Sequence, residues 1–126
     1  MIIQIPFKTP TINHLYGQRG FQRYLTSEAK KIKKKIQNIC EGMKGIDGKV
    51  KIRVEIFENW HTLKGEIKKK DIANREKFLI DSIFESLGMD DSQIFKHIMI
   101  KRQGEEKAIV IIHRYEDDNK NNSSSC

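Results

Sequence analysis

The sequence holds two cysteines in 126 residues, Cys40 and Cys126. They are too few and too far apart for a disulfide framework or a metal-binding spacing, so both read as free thiols. No apolar run approaches the roughly 18 to 20 residues of a membrane span. The opening Met1-Ile2-Ile3-Gln4-Ile5-Pro6 has neither the charged start nor the cleavage site of a signal peptide. From these absences we expect no membrane partner and an intracellular chain, cytoplasmic and, in a bacterium or archaeon, nucleoid-associated. The four histidines, His14, His61, His97 and His113, share no metal-ligand spacing. Acidic residues are in deficit, 17 against 24 Lys and Arg, for a net charge of +7. That balance favours a polyanionic partner, nucleic acid first.

At this length the chain is one domain with a modest core. We place it at residues 1–115 and expect 116–126, which carry no apolar pattern, to be a disordered polar tail. Residues 2–7 are apolar and β-branched, a short strand closed by Pro6 and Pro10. Residues 8–25 read as a loop in which basic and aromatic groups interleave, with Asn13, His14, Tyr16, Arg19 and Arg23 suited to phosphates and an exposed base. An ordinary polar surface loop fits the same residues. Thr26 or Ser27 caps a helix over about 27–43, since Ala29, Ile32, Ile36, Ile39, Cys40 and Met43 recur at helical spacing. Its lysine-rich outer face reads as solvated. Residues 49–56 alternate strictly, a strand with one apolar face. Residues 58–70 are a polar loop whose Trp60 covers the sheet edge or stacks on nucleic acid; packing is the commoner use of a single Trp.

A second helix, about Asn74 to Leu87, buries Leu79, Ile80, Ile83, Phe84 and Leu87 on one arc and leaves Phe78 off it. An off-arc aromatic points to a second contact, most simply a partner subunit. Residues 94–101 and 108–113 read as a hairpin, with His97 and His113 as surface residues of the strands. The fold class is α+β: a mixed sheet of about four strands with two helices packed on it, in the order β-α-β-α-β-β.

The chemistry concentrates around that second helix. A basic run, Lys68, Lys69 and Lys70, leads to Asp71 at the helix start, Lys77 sits in the first turn, and Asp90-Asp91 follow the far end. Carboxylates offer hard oxygen ligands to Mg²⁺ or Mn²⁺, and a lysine can neutralise or protonate a phosphate oxygen, the parts a metal-dependent nuclease needs. The bland reading is a helix cap and a solvated acidic turn. Glu76 projects toward the core arc at its N-terminal end, where it could reach a metal or simply favour the helix dipole. The helix holds Asp71 and Asp91 on the order of 20 Å apart, so either the 88–91 loop folds far back or a second chain completes the site. We expect the second, with the helix paired antiparallel to its own copy across a two-fold axis and Asp71 of one subunit meeting Asp91 of the other.

At these residues the sequence resembles the RusA family of Holliday junction resolvases. The family motif, basic-Asp-x-Asp-Asn followed by Lys, a helix and Asp-Asp-Ser/Ala-Gln, corresponds to Lys70-Asp71-Ile72-Ala73-Asn74, Lys77, Asp81-Ser82-Ile83 and Asp90-Asp91-Ser92-Gln93. A second match is Pro10-Thr11-Ile12-Asn13-His14-Leu15-Tyr16, so the resemblance runs from about residue 2 to about 114. It implies a homodimeric endonuclease that resolves four-way DNA junctions in recombination and repair by paired nicks, with Mg²⁺ or Mn²⁺. Asp71, Asp91 and Lys77 would be catalytic, Asp90 and Glu76 further metal candidates, and Lys68, Lys69, Lys70 and Asn74 DNA contacts. Ala73 stands where the family has its second aspartate. The alternative is therefore a homologue that binds junctions, or nucleic acid generally, with its chemistry impaired.

Overall fold

The computed structural model describes residues 1–8, 16–19, 22–69 and 73–116. The elements are β1 (Ile2–Ile5), β2 (Tyr16–Arg19), β3 (Gln22–Leu25), α1 (Ser27–Cys40), β4 (Val50–Glu58), α2 (Ala73–Leu87), a 3₁₀ turn (Asp91–Gln93), β5 (Ile94–Gln103) and β6 (Lys107–Arg114). Four strands form one mixed sheet in the order β1-β6-β4-β5. In β4, Val50, Ile52, Val54, Ile56 and Glu58 are buried while the residues between them are not. Among the described residues one sheet face is covered, and both helices lie on it and share one core with Ile3, Ile5, Val110 and Ile112. This is the expected α+β class.

Thr26 caps α1 by accepting a 3.2 Å hydrogen bond from the Ala29 amide. The helix ends at Cys40, sooner than its apolar spacing implied, and Gly42 at φ 82° turns the chain away. Residues 16–25, expected as loop, contain an antiparallel ribbon in which Tyr16 pairs with Leu25 and Arg19 with Gln22. Its strands are too short and too polar for hydrophobic alternation to reveal. Trp60 is buried, its indole Nε1 donating to the Ile56 carbonyl at 3.2 Å, so it packs as expected.

Two expectations fail. The strands after α2 are not a hairpin: β5 pairs parallel with β4, and β6 pairs antiparallel with the other edge of β4. The 104–106 turn crosses the end of β4, where the Gly104 amide donates to the Glu58 carbonyl at 3.3 Å. Two strand spacings, about 10 Å, are within the reach of so short a turn; its length limits distance, not adjacency. Phe78 is also no external contact, being 3% exposed. Phe78, Ser82 and Glu85 share one helix stripe, and Glu85 pairs with Lys33 of α1. α1 thus covers a side of α2 that a single-faced arc leaves open.

On the open sheet face Glu55 accepts from Arg102 Nε at 2.7 Å and Arg53 Nε at 3.3 Å, tying β4 to β5. The Arg102 hydrogen bond holds its carboxyl below the usual range. A depressed folded-state pKa adds stability above the unfolded value and loses it as pH falls through the folded one. Glu55→Gln is expected to cost about 1–2 kcal/mol at pH 7, with the gap from wild type closing in acid denaturation curves. A gap independent of pH would assign the loss to packing.

Candidate active site

β4, α2 and β5 form a crossover unit in which α2 runs back against two parallel strands. α2 ends in paired hydrogen bonds, Met89 amide to Phe84 carbonyl at 2.8 Å and Gly88 amide to Glu85 carbonyl at 3.3 Å. Gly88 takes the φ of 68° that this reversal requires. The chain then returns along the helix. A strand advances about 3.3 Å per residue against 1.5 Å for a helix, so a few residues of return cover several helical turns.

The return brings Asp91, Ile94 and His97 opposite Glu76, Lys77, Ile80 and Asp81, around a cleft of about 410 Å³. The 88–91 segment thus folds back far enough to bring Asp91 to the pocket that Glu76 and Lys77 line, while the separation of Asp71 and Asp91 lies outside the described residues. Lys70 and Asp71 lie outside the described residues, as do Asn13, His14 and residues 117–126. Tyr16 and Arg19 are placed on β2, Arg23 on β3, and Ala73 and Asn74 at the start of α2, by their backbone alone. Lys68 is half-buried and Lys69 exposed, following a turn closed by a His61–Ile67 bridge.

Asp90 and Asp91, adjacent in sequence, differ in use. Asp90 caps the 3₁₀ turn: its carboxylate accepts from the Ser92 amide at 3.2 Å and from the Ser92 hydroxyl, and its own amide donates to Gln93 Oε1 at 2.9 Å. The Ser92 hydroxyl holds Asp90 below the usual carboxylate range. That box turns Asp91 toward the cleft. Gln93 fixes the turn, its Nε2 donating at 2.8 Å to both the Ile46 and Gly48 carbonyls. The same loop crosses α2 so closely that a Cβ on Gly45 would stand 2.5 Å from the Leu87 carbonyl oxygen. Gln93→Ala is expected to lower stability by about 1–2 kcal/mol, with faster amide exchange over 89–93. Unchanged exchange there would show that the turn holds itself.

Glu76 is 6% exposed, and Lys77 Nζ lies 3.4 Å from Asp81 Oδ2. Burial pushes the Glu76 carboxyl up to about 7, with the negative charge of Asp81 adding and Lys77 opposing. His97, expected as a surface residue, places Nε2 2.8 Å from Glu76 Oε1 with its side chain 30% exposed. Burial pushes the imidazole pKa down. Read from the sequence, His97 is a strand surface residue, as its exposure bears out, and Asp81 is part of a motif, with no role at the site for either. Asp81 could have been found from its i,i+4 spacing to Lys77, whereas nothing in the local pattern shows His97.

Among the described residues no three His, Cys, Asp or Glu side chains stand together as a metal cluster. The cleft still offers carboxylates from Glu76, Asp81 and Asp91. One or two carboxylates with water and substrate phosphates suffice for Mg²⁺, so this donor set fits a hard divalent cation. Among curated proteins none matches the chain. A family profile described as endodeoxyribonuclease RusA matches residues 6–113, which span both helices and the cleft. The chain belongs to the RusA family of endodeoxyribonucleases.

Proposed function

We propose that the chain is a divalent-metal-dependent endonuclease that binds four-way DNA junctions and resolves them by paired phosphodiester nicks in recombination and repair. The observation that carries this reading is the cleft itself: Glu76 and Lys77 of α2 and Asp91 of the returning segment line one pocket within a RusA-family domain. Glu76 and Asp91 would hold Mg²⁺ or Mn²⁺, with Asp71 as a further ligand and Asp90 capping the turn that aims Asp91. A cation there supplies charge stabilisation to the phosphoryl group under attack. Lys77, exposed at the cleft beside Asp81, neutralises a phosphate oxygen and can pass a proton to the leaving oxygen. Lys68, Lys69, Lys70, Asn74, Arg19 and Arg23 hold flanking phosphates, while Asn13, His14 and Tyr16 contact the branch point.

Paired nicks require two sites, which a homodimer provides. Phe78 is spent on this chain's core, so the surface for a second copy is the open sheet face, where Ile98, Ile100, Ile109 and Ile111 are half-buried and Ile2 is 60% exposed. The second reading, a junction-binding homologue without chemistry, is favoured by one observation: α2 opens on Ala73.

Binding tests the substrate class. The net charge of +7 makes affinity for any DNA fall steeply with salt through counterion release. At about 0.1 M salt, where screening leaves mainly shape-matched contacts, a four-way junction is expected to displace linear duplex of equal length. Equal affinity in that competition would remove the resolvase reading.

A further inference from the structure

We infer that His97 is the positioning residue for Glu76: its imidazole fixes one carboxylate oxygen and aims the other into the cleft. The inference rests on the reading of Glu76 as a cation ligand.

Alternation along β5 from Ile94 would put Lys96, Ile98 and Ile100 on the helix-covered face and His97 on the open one. The register breaks this. Val50 pairs with Ile94, but Lys51 pairs with Lys96, a β-bulge that inserts one residue. Beyond it His97 is the partner of Ile52, Met99 of Val54 and Lys101 of Ile56, all on the buried face of β4. Ile98 and Ile100 pair with Arg53 and Glu55 on the open face instead. Two side-chain contacts agree with this phase: Lys101 lies 4.8 Å from the centroid of the buried Trp60 ring, and Arg102 meets Glu55 on the opposite face. At this edge strand the helix side stays exposed, with Met99 41% exposed, and the bulge turns an imidazole to that side toward α2.

That imidazole meets Glu76, whose buried carboxylate needs a partner. With Nε2 donating to Oε1 at 2.8 Å, Oε1 is partly engaged and Oε2 becomes the better donor to a cation. A one-oxygen ligand suits the compact octahedral shell of Mg²⁺ or Mn²⁺ better than the larger shell of Ca²⁺, which often takes both carboxylate oxygens. Hydrogen-bonded partners of this kind orient metal-ligating carboxylates, and losing one typically weakens metal affinity by about 10 to 100-fold. His97 thus supplies from the strand what a carboxylate at position 73 would not need: a support holding Glu76 from one turn further along the helix.

The test is Mn²⁺ binding by calorimetry on the full chain without DNA, using wild type, His97→Ala, Glu76→Gln and the double variant. His97→Ala is expected to weaken Mn²⁺ binding by about 10 to 100-fold, and to have no further effect once Glu76 is Gln. His97→Gln, which can still present an N–H donor, should recover part of the loss. Wild-type affinity in His97→Ala beside a loss in Glu76→Gln would overturn the role of His97 and leave Glu76 as a ligand. A His97→Ala loss that persists in the Glu76→Gln background would likewise overturn it. Wild-type affinity in Glu76→Gln would remove the underlying reading itself.

Discussion

Asp91→Asn is expected to lower metal-dependent nicking of a four-way junction by about a thousandfold while junction binding in the presence of chelator stays within about twofold. The loss corresponds to roughly 4 kcal/mol of transition-state stabilisation, the scale expected when a carboxylate that places a divalent ion is neutralised. The fold should not suffer. Asp91 is exposed on the 3₁₀ turn, and the hydrogen bonds that hold the turn belong to Asp90, Ser92 and Gln93. Asp90→Asn serves as the contrast, since Asn also caps well; it should keep most of the activity. Equal losses from the two substitutions would mean that the division of labour between the adjacent aspartates is wrong.

Glu76→Gln is expected to reduce nicking by about a hundredfold or more, since Glu76 is read as one of the few carboxylates that place the ion. Ala73→Asp alone should change the rate by less than about threefold, because Glu76 already serves. In the Glu76→Gln background, however, Ala73→Asp should restore much of the loss. Stability should move the other way. The Glu76 carboxyl is raised from 4.5 to about 7, so the folded state binds more protons than the unfolded one between those values. The stability from this group is full below 4.5 and is lost as pH rises through about 7. Gln carries no such dependence, so the advantage of Glu76→Gln in thermal denaturation should grow across that range. A large gain of nicking from Ala73→Asp in the otherwise wild-type chain would show instead that the ancestral carboxylate had not been replaced.

Much of the fold was legible because its signals are local. Strict alternation marks β4, helical spacing and Thr26 mark α1, and the paired aspartates stand out as a motif. What was not legible depends on long-range pairing. The short link from Gln103 to Lys107 fits a hairpin as well as a crossing over the end of β4, and only the presence of β4 between the strands decides it. Phe78 looked external because an arc read from one helix cannot include the second helix that covers it. His97 is the sharper case: a one-residue bulge reverses the facing of the strand beyond it, and nothing in Ile94-Phe95-Lys96-His97 announces that bulge. Asp91 comes to the level of Glu76 and Lys77 for a related reason, since a helix and the strand returning along it advance at different rates per residue.

The most direct test of the account is a single-turnover assay on a four-way junction and a linear duplex of the same sequence, each with Mg²⁺ or Mn²⁺ and with chelator. The account predicts symmetrically paired nicks in the junction only when metal is present, little cutting of the duplex, and loss of cutting in Asp91→Asn. Tight junction binding with no cutting under either metal, restored by Ala73→Asp, would contradict it and leave the chain as a junction-binding member of its family.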